Sequence, residues 1–431
     1  MKKKQTLALL MAGAMLVPNA FAASPEDFHD FPTDWSAAGL RSAVQNGLLN
    51  GSNGQINSSG LLIRAQMAAI VNRAFAARKT ADLSVYSDAN TSAWYYNDLE
   101  LAVAMRTFQG ANGKLNPEAP ITREEAFVVL ARAFALESGD TSVLNNYTDG
   151  ASVSAWARSS VAALIENGYV NGANGKLNPK TSITRAEFAK VISEMASTYA
   201  DADDSLSATV DGSVIVRENS VSLSGKTING DLIIADSADK VSLDNVKVTG
   251  RIVIRGGADA VSIKDTTAGK GVLVSSPNGA AAISVSGGSV GTVTAKSDLS
   301  LSGSVSNVAV TDKATLTVEK NASVGTVTVS AAGSKVTGDG KVTNVQANAN
   351  NVTVTSKGTK VTAGSGVSGV KAGDKAVESG KTETVGSTSI SSGGSSGGGS
   401  NSSRSDYSYV LNKKVKRLAL KSVLSAKAAE G

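Results

Sequence analysis

The octet GANGKLNP fills residues 110–117 and returns unchanged at residues 172–179, with a weaker echo, GSNGQINS, at residues 51–58. Gly and Asn are the residues that accept tight-turn geometry, so each octet reads as a turn. The starts lie 59 and 62 residues apart, which marks internal repetition and governs every other assignment. The chain's three tryptophans set the register. From Trp35, Trp94 and Trp156 a glycine follows 16 residues on (Gly51, Gly110, Gly172) and an arginine 29 residues on (Arg64, Arg123, Arg185). An aromatic-x-Asp precedes each: Phe28-His29-Asp30, Tyr86-Ser87-Asp88 and Tyr147-Thr148-Asp149.

Each unit reads as helix, loop, helix. In the third, SAWARSSVAALIENGYVNG is a helix that stops at Asn167-Gly168, ANGKLNPKTS is the loop, and ITRAEFAKVISEMA begins the second helix. Thr184 and Glu187 fit a capping box, and Phe188, Val191, Ile192 and Met195 form one apolar stripe. The second unit keeps the box as Thr122 and Glu125. The first has Ile63 and Gln66 and so lacks a hydroxyl cap worth about 1 kcal/mol. One hairpin of this size cannot bury its apolar face, whereas three can share a core.

The aromatic-x-Asp, the tryptophan, the Asn-Gly stop, N-G-x-L-N-P and I-T-R-A-E together resemble the repeats of the S-layer homology (SLH) family, over residues 28–199. The resemblance implies a pseudo-threefold helical bundle. Its inter-repeat grooves would bind secondary cell-wall polysaccharides attached to peptidoglycan, often bearing pyruvate ketals. It also implies the groove residues: Asp30, Trp35, Gly47 and Arg64; Asp88, Trp94 and Arg123; Asp149, Trp156, Gly168 and Arg185. Arg106 stands where the other units have Gly47 and Gly168, so the second groove is expected to be blocked or recoded.

Read from the residues alone, the tryptophans are core first, and Glu125 and Glu187 are caps. The arginines differ. A cation in the first turn faces the positive end of the helix dipole, which disfavours it by roughly 0.3–1 kcal/mol. A helix N-terminus with a guanidinium fork makes a receptor for a carboxylate or phosphate. The competing reading pairs each arginine with a neighbouring unit's early Asp or leaves it in solvent. Arg185 is expected to matter most, because its unit keeps Asp149, Gly168 and a full box, and residues 25–200 are expected to suffice for wall binding.

After Tyr199 the composition changes. No aromatic residue or histidine occurs from Ala200 to Asp406, and Pro277 is the only proline from 201 to 400. Short β-branched runs recur instead: LII at 232–234, VSL at 241–243, IVI at 252–254, VSI at 261–263, VLV at 272–274 and ISV at 283–285. The same strand type returns about every 20 residues, which suits a parallel β-solenoid of roughly six to eight coils and about 30–40 Å. A β-sandwich is the other fold considered. The pattern loosens past Val342. The expected architecture is therefore multidomain, α then β: a pseudo-threefold helical bundle followed by a parallel β-solenoid stalk. A wall-anchored carbohydrate-active enzyme with its activity in the solenoid is the alternative function. Sugar rings pack against aromatic faces, which this region lacks, so a non-catalytic anchor is preferred.

Targeting and composition bound the rest. Lys2 to Lys4, the apolar stretch Leu7 to Val17 and Ala20-Phe21-Ala22 read as a signal peptide over 1–22, hence a secreted, cell-wall or cell-surface protein. No other run is long enough to span a bilayer. The chain has no cysteine and one histidine, His29, which excludes disulfides, thiolate nucleophiles and His or Cys metal clusters. No cofactor or metal is expected. The net charge of +5 resides in the n-region and the tail, leaving residues 5–403 at −3, which gives no electrostatic case for nucleic acid. The expected boundaries are units at 25–79, 84–137 and 145–200, a solenoid at 205–380, a Gly/Ser linker at 381–405 and a basic tail at 406–431. The tail, DYSYVLNKKVKRLALKSVLSAKAAEG, resembles a segment of a bacterial large-subunit ribosomal protein; in an exported chain it reads as a fusion or assembly junction without a function. The expected partner is the wall polysaccharide, with self-association at the cell surface as a further candidate.

Overall fold

A computed structural model describes residues 23–386; the expected signal peptide, the basic tail and nearly all of the linker lie outside the described residues. The helices are α1 (Ala37–Gln45), α2 (Arg64–Ala74), α3 (Tyr96–Ala104), α4 (Arg123–Ala133), α5 (Arg158–Glu166) and α6 (Arg185–Met195). The first helix of each unit packs on the second helix of the unit before: α3 on α2, α5 on α4, and α1 on α6. The ring closes at its axis. Leu62 N–H donates to the Ile183 carbonyl, Ile183 to Ile121 and Ile121 to Leu62, each at 3.0 Å.

The geometry of the octet accounts for its recurrence in the units. Asn112 and Gly113, with φ of 52° and 69°, form the two-residue turn of a minimal hairpin closed by Ala111 and Lys114. Ser52 with Gln55 and Ala173 with Lys176 close its counterparts. Two successive positive φ values are the type I′ geometry that Asn-Gly favours. The octet's first glycine answers a different need. A Cβ on Gly110 would lie 2.4 Å from the Tyr86 ring, and one on Gly51 would lie 2.1 Å from Phe28. The aromatic of aromatic-x-Asp thus lies over that glycine, while its Asp caps the loop. Asp88 accepts the amides of Leu115 and Asn116 at 2.8 and 2.7 Å, and Asp149 accepts those of Leu177 and Asn178, both at 2.8 Å.

The second half is a solenoid of parallel strands. One face carries nine rungs in register, from Val214–Val216 through Leu232–Ile234, Ile252–Ile254 and Val272–Val274 to Lys360–Ala363. A second face begins with Val221–Ser224, Lys240–Asp244, Ala260–Lys264 and Ala281–Ser286. A short third sheet, Thr209–Asp211 to Thr267–Ala268, makes the early coils three-sided. At about 4.8 Å per rung the rod is about 40 Å long. The count exceeds the expected six to eight because coiling continues past Val342 in strands as short as Thr353–Val354. Lys375–Val377 and Thr382–Thr384 then pair antiparallel with Val370–Ala372 and Lys360–Ala363, so pairing extends beyond residue 380.

The first four rungs are buried on both faces. Their flanking residues point into the solenoid, whereas Ile215, Ile233, Val253 and Leu273 belong to the core of the helical bundle. Strands covered on both sides read as unbroken apolar triplets, and these are VIV, LII, IVI and VLV. From Thr292–Ala295 onward the outward position is Thr294, Ala309, Thr328, Gln346 and Thr362, and the covering ends. Arginines pin the seam. Arg217 donates to the Asn46 carbonyl, Arg251 to Ala135 and Phe134, and Arg255 to Met105 and Arg132. Those carbonyls lie at the C-terminal ends of α1, α3 and α4, where the helix dipole is negative. Arg255 also holds Asp236 at 2.6 Å, with side chains only 3% and 1% exposed. Bundle and solenoid belong to one compact unit.

Candidate functional site

Arg64, Arg123 and Arg185 open α2, α4 and α6, yet each reaches into the next unit. Their Nε atoms donate to the carbonyls of Leu115, Leu177 and Ile56, all at 2.8 Å. The helix N-termini are occupied too. The backbone N–H groups of the three arginines donate to Ala119, Thr181 and Gly60, and those of Ala65, Glu124 and Ala186 to Pro117, Pro179 and Ser58. Thr122 and Thr184 accept the N3 amides, while Ile63 offers no side-chain acceptor. The expected joint receptor of helix amides and guanidinium is therefore corrected: the amides face neighbouring turns, and only the guanidinium is available to a ligand.

The carboxylate partners of Arg64 and Arg123 are the capping-box glutamates of the next unit. Arg64 Nη1 lies 3.0 Å from Glu125, and Arg123 Nη1 lies 2.7 Å from Glu187. Each glutamate also accepts the amide of its own N-cap threonine at 2.8 Å. Sequence reasoning saw only the cap. The pairing depends on which unit follows which around the ring, and that direction is not written in any single repeat. Arg64 further stacks over Phe108 at 4.6 Å, and Arg123 over Phe127 at 5.3 Å.

Two grooves open at these arginines, and each draws on all three units. One, about 450 Å³, is lined by Arg64, Phe108, Gly110, Glu125, Arg132 and Trp156. The other, about 430 Å³, is lined by Arg123, Gly168, Tyr169, Glu187, Lys190 and Trp35. The cyclic order leaves Trp94 to the place beside Arg185. Trp35, Trp94 and Trp156 are 60%, 63% and 57% exposed, so the expectation of core tryptophans is corrected. The helices begin after them, and Leu40, Leu99 and Val161, five residues on, take the core seats.

The remaining expected site residues lie apart from the arginine–tryptophan pairs or at the rim. Asp30, Asp88 and Asp149 face turn amides of their own units. Partial burial pushes Asp30 and Asp149 up, but the paired amides outweigh it and hold both carboxyls below their ordinary range. Gly47, Arg106 and Gly168 share a left-handed backbone, with φ of 69°, 59° and 76°. Arg106 is exposed, and the groove formed by its unit is open and lined without it. Among the described residues no helix is long and apolar enough to cross a membrane.

The S-layer homology domain model matches residues 85–127 and 146–189, within the second and third units. The first unit stands outside those spans and joins the other two through the Leu62–Ile183–Ile121 ring. The chain is 35% identical over 193 residues to a surface-layer 125 kDa protein of Lysinibacillus sphaericus, covering 43% of this chain and 16% of that one. It is 27% identical over 170 residues to an amylopullulanase of Thermoanaerobacterium thermosulfurigenes, covering 38% and 9%. It is 25% identical over 189 residues to exoglucanase XynX of Acetivibrio thermocellus, covering 43% and 17%. The two glycosidases match only the helical repeats. The chain thus spans less than a fifth of the length of each of these relatives.

Proposed function

We propose that this S-layer homology domain protein, a cell-surface chain that anchors to the cell wall, holds an anionic secondary wall polymer in its inter-repeat grooves and carries a non-catalytic solenoid stalk. One observation carries the reading: an exposed tryptophan stands at a groove whose wall presents an inward arginine, and the arrangement occurs twice around one ring. The indole offers a flat face to a sugar ring. The guanidinium offers a planar fork to a carboxylate such as a pyruvate ketal, and its protein partners leave part of that fork free. Glycosidase relatives favour an enzymatic second reading, but the likeness is confined to the repeats, and the solenoid offers no aromatic platform.

The test is co-sedimentation of the full chain with purified walls, native or stripped of ketal carboxylates. Binding is expected to native walls and to fall steeply on stripped ones. Equal binding to both would remove the carboxylate from the mechanism while leaving the anchor. Release of soluble glycan from either wall would replace the stalk with an enzyme.

A further inference from the structure

The three grooves differ at one position, the third residue of α2, α4 and α6. Glu125 and Glu187 occupy it on α4 and α6, and each neutralises the arginine of the preceding unit. On α2 the residue is Gln66, whose Oε1 accepts the Ile63 amide at 3.3 Å and carries no charge. Arg185, which faces that position, donates its Nε to Ile56 and its Nη2 to Asn50, both carbonyls. Among the described residues it forms no ion pair, and its Nη1 has no protein acceptor; Asp30 attracts it only from beyond contact, with both carboxylate oxygens held by turn amides. A second cation adds to the imbalance. Arg73, on the last turn of α2, donates to the Leu48 carbonyl and is close enough to Arg185 for the two charges to repel. Its counterparts are Arg132 on α4, where Glu125 offsets one charge, and Glu194 on α6, which pairs with Lys190 at 3.0 Å.

We infer that the α2 groove is the anion-selective site of the three and that Gln66 is the residue that makes it so. This rests on the proposal that the grooves take an anionic wall polymer. A carboxylate entering the α2 groove meets a half-buried guanidinium with free donors. In the other two grooves it must displace, or sit beside, a glutamate already bonded to the arginine. Those grooves suit the uncharged sugars of the same chain, held by Trp156 and Trp35. Multivalent attachment then follows from one charged and two neutral contacts along one polymer.

The experiment uses titration calorimetry on the full chain with two probes: a methyl hexoside carrying a pyruvate ketal, and the methyl ester of that ketal. The unmutated protein should bind one equivalent of the acid and discriminate against the ester. Gln66→Glu keeps an acceptor for the Ile63 amide, as the other units show for Glu at this position, and should weaken the acid roughly tenfold or more. Glu187→Gln should raise the acid stoichiometry from one to two. Undiminished acid binding by Gln66→Glu, or three equal acid sites in the unmutated protein, would overturn the assignment to the α2 groove alone. Indifference of the unmutated protein to acid and ester would bring down the anionic-polymer reading with it.

Discussion

At the scale of the residue, Asp30 and Asp149 illustrate how a repeat motif can look like a ligand site and behave as a loop cap. Each carboxylate takes two adjacent backbone amides, one from the residue before the left-handed Asn (Asn57 or Asn178) and one from that Asn itself. Both are held below their ordinary range despite the opposing effect of burial, by those amides. A carboxyl with a depressed folded value stabilises the fold above its unfolded value, here 3.8, and loses that contribution as pH falls through the folded value. The melting temperature should therefore drop as pH is lowered below about 4. Asp149→Asn keeps one acceptor oxygen but turns an NH2 toward the second amide, so it should lower the melting temperature at neutral pH and flatten part of the acid slope. Melting curves of the two proteins across that range check it; an unaltered neutral stability would mean the cap is dispensable.

At the scale of the element, the glycines separate into two kinds that share one letter. Gly47 has a φ of 69°, and a Cβ at this position would meet nothing within 4 Å, so Gly47→Ala should cost only about 1 kcal/mol, and Arg106 already holds the equivalent backbone. Gly110 is pressed between the Tyr86 ring and the Lys114 carbonyl, which would lie 2.4 and 2.6 Å from a Cβ, so Gly110→Ala should cost about 3 kcal/mol. Urea titration of both variants distinguishes them, and equal losses would contradict the packing account. The contrast marks what was legible in the sequence. Turn chemistry, capping boxes and helix stops are local, so the octet, Thr184 with Glu187 and Gly168 could be read directly. The strand period was equally plain, because each run carries its own alternation. Contacts between units were not. The packing of Tyr86 on Gly110 joins residues 24 apart, and the pairing of Arg64 with Glu125 joins residues 61 apart across the ring. The exposure of Trp156 was missed because a large apolar residue beside a helix carries no mark of which side it faces.

At the scale of the whole molecule, the seam between bundle and solenoid changes how the anchor can be cut. The triplets VIV, LII, IVI and VLV were visible as strands, but their central residues cover the bundle rather than a second sheet. A fragment ending at Ala200 loses Ile215, Ile233, Val253 and Leu273 together and leaves an apolar face open, so residues through the first four rungs belong with any binding fragment. The same seam buries Arg255 with Asp236, the guanidinium bridging to Met105 and Arg132 and lying 5.3 Å from the Phe75 ring. Burial pushes the Asp236 carboxyl up, and Arg255 is what opposes it. Arg255→Ala therefore strands a buried carboxyl, and the loss should be about 3–5 kcal/mol. Arg255→Met with Asp236→Leu removes both charges and restores apolar contact, so it should recover most of that loss. Denaturation of the full chain and both variants provides the measurement. If Arg255→Ala alone is neutral, the pair does not hold the two halves together; if it is costly and the double variant is not, the charges orient a seam whose adhesion comes from the four apolar rungs.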